Sequence, residues 1–364
     1  MKIDRILAYR LSLPFFEETV VPFVKHRVMN SVVVRVFAGD YEGVGETSTS
    51  IEFSGENADT IMVALHHLAP RVLGADPREF RRIHELMDGV FGNSSAKAGI
   101  DIACYDLAGI AYGVPVATLL GGAVHERVRT QHLLPIKPLD EIVSYARKFS
   151  DEGYRIFEMK IEANPKADLE RIAAIRGAVA PDTVLVIDAN RTSTVPDAVR
   201  FVSSLDPGND YLEQPVDSIR QMVEVRRHSR IPLVADELSK SFADAVNVIE
   251  SGAADALSIK LVKVGGFYPA SQIASYAEAV GVPFRVDDMC MSRLGNSASY
   301  AFATAWKGIF GCGFAQHTLL VKHDQIVPMG VDIREGWGSM PLRPGVGATI
   351  DYAALGAPAA EWKL

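Results

Sequence analysis

Ionisable residues recur at a nearly even interval in the second half of the chain: Lys160, Asp188, Glu213, Asp236, Lys260 and the pair Asp287-Asp288. Successive gaps are 28, 25, 23, 24 and 27 residues, each the length of one strand–helix unit. If each residue ends a parallel strand, every unit delivers one charged side chain to the same rim. In a barrel that rim is where active sites are built, from the ends of different strands. The order of signs is a lysine, three acids, then a lysine. Around a barrel this makes an acidic arc, Asp188, Glu213 and Asp236, with Lys160 on one side and Lys260 on the other. Three neighbouring carboxylates repel one another unless a cation neutralises them. Oxygen-only ligands favour a hard ion, Mg²⁺ or Mn²⁺, over zinc. Three protein ligands leave octahedral positions free for a substrate carboxylate. A single Asp at a strand end is more often a helix N-cap, which is the expectation for Asp217, and a lone lysine there usually just reaches solvent. Five such residues, one per consecutive unit and in this order, outweigh that blander reading.

The elements that must carry them follow from periodicity. Short β-branched runs lie at Arg129–Leu134, Arg155–Ile161, Thr183–Ala189, Asp210–Gln214, Ile231–Asp236, Ala256–Leu261, Pro283–Asp288 and Ile309–Phe314. Helical patterns lie between them, at Leu169–Val179, Ala243–Ile249 and Ala270–Val280 among others. Strand, helix, strand, repeated, implies parallel strands with right-handed crossovers, and eight such strands close into a barrel. An open doubly wound sheet would want a glycine-rich phosphate turn after its first strand, and none is there. Residues 1–125 read as an α+β domain. Lys2–Leu11 and Ser31–Ala38 alternate like antiparallel strands, Glu42-Gly43-Val44-Gly45-Glu46 suits a turn and third strand, and helices are expected at about 55–70, 77–90 and 94–112. The predicted architecture is α/β: a TIM-type (β/α) barrel at 126–325, a capping domain at 1–125, and a Gly/Pro-rich segment at 326–364 packing back on the cap.

Bulk properties exclude several classes. The net charge is -8, with Lys and Arg scattered, which argues against nucleic acid as a partner. No apolar run approaches the roughly 20 residues of a membrane span, and Met1–Arg5 does not read as a signal peptide. Three cysteines, Cys104, Cys290 and Cys312, with no Cys-x-x-Cys pair, argue against a disulfide framework and a structural zinc site. The expectation is a cytoplasmic homo-oligomer whose other partner is a small-molecule carboxylate.

Asp188-Ala189-Asn190, Glu213-Gln214-Pro215, Asp236-Glu237 and Ile259-Lys260-Leu261-Val262-Lys263-Val264-Gly265-Gly266 resemble motifs of the enolase superfamily. Gly43-Val44-Gly45-Glu46, Ala98–Asp106 and Leu119-Leu120-Gly121-Gly122 resemble its capping domain, so the similarity spans essentially the whole chain. Lysines on the second and sixth runs point to the muconate lactonizing enzyme subgroup. The mandelate racemase subgroup would instead place a His at the seventh. The resemblance implies an enolase-like, modified barrel. It also implies that Asp188, Glu213 and Asp236 bind Mg²⁺ while Lys160 and Lys260 act as the acid/base pair. The chemistry agrees. An α-proton beside a carboxylate is too weak an acid for an unaided lysine, and a metal on the carboxylate stabilises the enolate and lowers the pKa of nearby lysines.

Departures from the subgroup bear on substrate. The usual Lys-x-Lys of the second strand is Glu158-Met159-Lys160 here. Glu158 shares a face with Lys160 and should raise its pKa. Either Glu158 pairs with another cation, or Lys160 is a better acid than base, or Glu158 sits too deep to matter. The eighth run, Gly311-Cys312-Gly313-Phe314-Ala315-Gln316-His317, lacks the Asp-x-Asp of dipeptide epimerases. The Glu-Ser pair of muconate and succinylbenzoate enzymes is replaced by Asp287-Asp288-Met289-Cys290. Asp-Asp there resembles the branch of hydroxyproline betaine 2-epimerase and cis-3-hydroxyproline dehydratase. One aspartate would cap the following helix and the other meet a cationic nitrogen. Substrate-binding candidates are Asp287, Asp288, Phe53, Asn190 and Glu158. Loops around Phe15–Arg27 and Thr47–Gly55 are expected to close the barrel mouth, with Phe15, Phe16, Phe23, Lys25 and His26 as further lining residues and His317 within reach. The expected activity is a racemase or epimerase of a proline- or betaine-type amino-acid derivative. The alternatives are a dehydratase of a hydroxyproline-type acid and a muconate-type cycloisomerase.

Overall fold

The computed structural model describes residues 1–21, 24–48, 50–162, 164–206, 208–313, 316–321 and 323–364. The chain opens with three antiparallel strands, β1 (Arg5–Val21), β2 (Val24–Ala38) and β3 (Tyr41–Ser48). Three helices follow: α1 (Ala58–Val72), α2 (Phe80–Met87) and α3 (Ser94–Tyr112). Inward side chains such as Ile6, Val32, Val34 and Val36 pack against Ile61, Leu65, Leu68, Ile100 and Leu107 of the helices to form a core of their own. The Gly43-Val44-Gly45 spacing reflects close approach. A Cβ on Gly43 would sit 2.2 Å from the Ala103 carbonyl, and one on Gly45 2.4 Å from that of Gly99, so only glycine lets β3 lie this near α3.

The short strand β4 (Arg127–Arg129) leads into eight parallel strands: β5 (Gln131–Leu134), β6 (Ile156–Lys160), β7 (Val184–Asp188), β8 (Tyr211–Glu213), β9 (Leu233–Ala235), β10 (Ala256–Ile259), β11 (Phe284–Val286) and β12 (Ile309–Cys312). They are hydrogen-bonded in sequence order, and a parallel bridge between Thr130 and Cys312 links the two edges. This is the (β/α) barrel expected, with strands up to two residues shorter at either end. Beyond it, β13 (Asp332–Arg334) pairs with β14 (Trp337–Ser339), which pairs with β4, and β15 (Ala360–Lys363) pairs with β1.

Two buried carboxylates dock the cap onto the barrel. Glu46 accepts from Ser31, from the hydroxyl and amide of Ser292 and from the Gly295 amide, so it caps the helix Arg293–Ala303 across the interface. Asp101 of α3 accepts from the Phe267 and Tyr268 amides at the start of the helix Phe267–Ala279 and from His84 Nε2.

Two local expectations are corrected. The stretch Phe15–Arg27 is not a loop, because β1 continues to Val21 and β2 starts at Val24, with a register shift between Pro14 and Thr19. Pro14 and Glu17-Glu18 read as loop residues, yet the hairpin tolerates them because the long ladder continues past the irregularity. Asp217 is not the N-cap of the helix Ile219–His228. Ser218 is, in a reciprocal capping box with Gln221. Phe23 and the side chains of His26 and His317 lie outside the described residues. Among the described residues no helix is long and apolar enough to cross a membrane.

Candidate active site

Lys160, Asp188 and Glu213 occupy the last positions of β6, β7 and β8 and stand in register, Lys160 opposite Asp188 and Asp188 opposite Glu213. Asp236 follows β9 directly, and Lys260 follows β10. All five are buried. Register therefore gathers them at one rim of the barrel.

The turns after these strands are built to hold the acids still. Asn190 and Gln214 have positive φ, +40° and +36°, a backbone state that non-glycine residues adopt mainly where surrounding structure demands it. The Asn190 amide donates to Asp188 Oδ1 at 2.9 Å. Gln214 Oε1 accepts from the Asp236 and Leu238 amides while its Nε2 donates to the Val216 carbonyl. The Asn and Gln of the two motifs thus fix the strand ends.

Each expected acid/base lysine is clamped by carboxylates. Lys160 Nζ lies 2.5 Å from Asp188 Oδ2 and 2.5 Å from Glu158 Oε1. Burial works against its charge, but Asp188 and Glu158 outweigh burial and hold its pKa above the usual lysine value. Lys260 Nζ lies 2.7 Å from Asp236 Oδ2 and 3.0 Å from Asp287 Oδ2. Burial again opposes its charge, and Asp236 and Asp287 again raise its pKa well above normal. Asp236 is also held by Lys263, whose Nζ reaches Oδ1 at 2.7 Å. Burial favours the neutral acid at Asp236, but the two lysines overcome it and keep its pKa low. For Glu213, burial dominates and its pKa is raised despite Arg285.

Carboxylate oxygens of Glu158, Asp188 and Glu213 lie within 4.8 Å of one another, and so do those of Glu213, Asp236 and Asp287. Glu213 belongs to both sets. The expected ligands Asp188 and Asp236 are thus split between two groups that meet at Glu213, each drawn toward its own lysine. Two buried acceptors beside them, Asn190 Oδ1 and Glu237 Oε2, have no partner among the described residues. An all-oxygen donor set with orphaned acceptors next to it fits a hard divalent cation.

The other candidates fall in different places. Glu158 sits deep, between Lys160 and Arg285 (2.6 Å), so it does pair with another cation. Asn190 Nδ2 approaches Glu237 at 3.5 Å. Asp287 faces the lumen, where Lys260, Arg285 and Gln131 all reach it. Asp288 points the other way, accepting from Asn296 Nδ2 (2.7 Å) and Ser299 Oγ (2.5 Å) of the helix Arg293–Ala303, whose N-cap is Ser292. Burial pushes its pKa up to about 8. Phe53 is half-buried in the cap turn that follows β3. Sequence reasoning missed Arg285 and Gln131. Arg285 is fully buried, a lone cation in an otherwise apolar run two residues before Asp287, and only that parity hinted at its place.

Residues 20–121 match the mandelate racemase/muconate lactonizing enzyme N-terminal domain, and residues 141–354 match the enolase C-terminal domain-like family. The chain belongs to the enolase superfamily. This superfamily enzyme is 34% identical to the N-succinyl-L-Arg/Lys racemase of Bacillus cereus over 84% of its length and 85% of the relative's. It is also 34% identical to the cis-3-hydroxy-L-proline dehydratase of Roseibium aggregatum, over 62% of its length and 61% of that protein's. The crystal structure of a dipeptide epimerase from Cytophaga hutchinsonii, complexed with Mg and the dipeptide D-Ala-L-Val, superposes with a TM-score of 0.94. It covers 100% of this chain and 99% of that one at 28% identity. The chain is accordingly an enzyme of a superfamily in which its relatives include racemases, epimerases and a dehydratase.

Proposed function

We propose that the protein is a Mg²⁺-dependent (or Mn²⁺-dependent) racemase or epimerase that removes the proton α to a substrate carboxylate. Lys160 and Lys260 form the acid/base pair, and Asp188, Glu213 and Asp236 are the metal ligands. The observation that carries this reading is the placement of the lysines. Lys160 ends β6 and Lys260 follows β10, on either side of the acids at the ends of β7, β8 and β9, so they reach a substrate bound over the acids from opposite sides.

Asp188, Glu213 and Asp236 would hold the divalent ion, which would supply positive charge to stabilise the carboxylate-derived anion, and Asp188 and Asp236 would then be shared between that role and their lysines. As they stand, both lysines are held protonated and are poised as acids. When its carboxylate partner turns away, a lysine in this buried site deprotonates more easily, because burial opposes its charge. One neutral lysine takes the α-proton from one face and leaves an enolate. The other, still protonated, returns a proton to the opposite face, inverting the centre. Burial of both lysines excludes water from the proton transfers.

The substrate class rests on the aspartates that follow β11. Asp287 is the lumen-facing aspartate and supports recognition of a cationic nitrogen, as in a proline- or betaine-type amino-acid derivative. Asp288, bound to Asn296 and Ser299, supports structure instead. A second reading, β-elimination of a hydroxyproline-type acid, is favoured by the dehydratase relative. It uses the same first step, after which the protonated lysine assists loss of the β-hydroxyl. The test is proton NMR of proline, hydroxyproline, betaine and N-acyl amino acids in D₂O with Mg²⁺ and enzyme. The α-proton signal of a proline-type substrate should disappear, with inversion for an epimerase or loss of water for a dehydratase. Efficient turnover of a neutral sugar acid, with every amino-acid derivative inert, would contradict the substrate assignment.

A further inference from the structure

Beneath the acids, the barrel lumen is crossed by one fully buried guanidinium. Arg285 extends from β11 and meets side chains from three other strands. Its Nη1 donates to Gln131 Oε1 at 3.0 Å and to Glu158 Oε2 at 2.6 Å. Its Nη2 donates to both oxygens of Glu213, at 2.7 and 2.5 Å, and reaches Asp287 Oδ2 at 3.2 Å. Gln131 is itself tied to Asp287 through Nε2 at 3.0 Å. A planar guanidinium with acceptors on both Nη groups has little freedom to rotate, and its fixed fork dictates where each carboxylate lies.

We propose that Arg285 is a positioning residue for Glu213, and that Glu158 serves the site by anchoring Arg285 rather than by touching substrate. The inference rests on Glu213 being a metal ligand. Glu213 is the carboxylate shared by both acidic groups, so fixing it fixes the point where the two halves of the cluster meet. Its oxygens have no other hydrogen-bond donor among the described side chains. Glu158 is bound on both oxygens as well, Oε2 by Arg285 and Oε1 by Lys160, and it is buried at the level of Arg285. Glu158 of β6 therefore has, besides Lys160, a countercharge across the lumen on β11.

Charge and positioning make opposite forecasts, which is what makes the inference testable. By Coulomb's law alone, removing a cation beside an acid cluster tightens divalent-cation binding. Replacing Arg285 by lysine keeps the charge and should leave affinity unchanged on that view. Loss of an outer partner that orients a ligand instead weakens metal binding, typically by about 10- to 100-fold.

The experiment is calorimetric titration of metal-free protein with Mn²⁺ for the unmodified chain, Arg285→Lys, the charge-neutral double variant Glu158→Gln/Arg285→Met, and Asp236→Asn. Thermal melts establish that each variant is folded. The double variant avoids stranding one buried charge, and Arg285→Lys decides if the double variant does not fold. Arg285→Lys should bind Mn²⁺ about tenfold more weakly, and the double variant no better than Arg285→Lys. Unchanged or tighter binding by folded Arg285→Lys, with Asp236→Asn still impaired, would overturn the role of Arg285 alone. Absence of Mn²⁺ binding by the unmodified chain would instead remove Glu213 as a ligand, and this inference with it.

Discussion

Lys260 Nζ lies 2.7 Å from Asp236 Oδ2, inside the buried rim of the barrel. The contact makes a proposed ligand and a proposed acid/base group compete for each other. Anything that draws Asp236 elsewhere releases Lys260 from the carboxylate that does most to raise its pKa. Thorough chelation should therefore abolish activity, and Mg²⁺ or Mn²⁺ should restore it. Asp236→Asn should lose activity and not recover it with added metal. Assays of chelated, reconstituted and variant protein check this, and full turnover after chelation would contradict it.

Glu158 touches Lys160 at 2.5 Å and, with Asp188 and Glu213, is one of the three carboxylates that raise its pKa. Glu158→Gln keeps the shape but removes the charge, so the pKa of Lys160 should fall. In the reaction direction that uses Lys160 as base, the limb of the pH–rate profile that reports Lys160 should move to lower pH. An unmoved profile would mean that Asp188 and Glu213 set that pKa without Glu158.

The paired aspartates that follow β11 should behave differently. Asp287→Asn loosens the contacts to Lys260 and Arg285 and should raise KM for a cationic substrate. Asp288→Asn should leave KM nearly unchanged, because its oxygens face Asn296 and Ser299. Steady-state kinetics of the two variants separate the roles. A larger KM effect at 288 than at 287 would reverse the assignment.

His132 lies away from the rim among Tyr145, Phe149 and Tyr154. Burial lowers its pKa to about 4, helped by Lys148 and opposed by the bond from Nδ1 to the Leu133 carbonyl at 3.0 Å. A folded pKa below the unfolded value, about 6.5, means that the unfolded chain binds the proton more readily. This contribution to stability is complete above about pH 6.5 and is lost as pH falls toward 4. His132→Phe should flatten the fall in Tm across that window. An unchanged acid slope would show that other groups govern it.

Much of the site could be read from spacing, because a barrel converts a regular interval into a shared rim. Lys160, Asp188, Glu213, Asp236 and Lys260 needed only that geometry to be brought together. What lay below the rim was harder. Arg285 is one residue in an apolar run, and its partners Gln131, Glu158 and Glu213 come from strands 72 to 154 residues away. No local pattern encodes that meeting. The opposed faces of Asp287 and Asp288 were implicit in the period of two along a strand, but deciding which face was the lumen required register. In the cap, the long hairpin escaped notice because Pro14 and Glu17-Glu18 carry loop-like chemistry while the pairing of β1 with β2 runs on past them.

The central claim is that two lysines work on opposite faces of one α-carbon. The most direct measurement is α-proton exchange in D₂O, with Mg²⁺, for each enantiomer of an active substrate and for Lys160→Ala and Lys260→Ala separately. Neither variant should epimerise, and each should exchange the α-proton of only one enantiomer, a different one in each case. Normal epimerisation by either variant, or exchange of the same enantiomer by both, would contradict a two-base site.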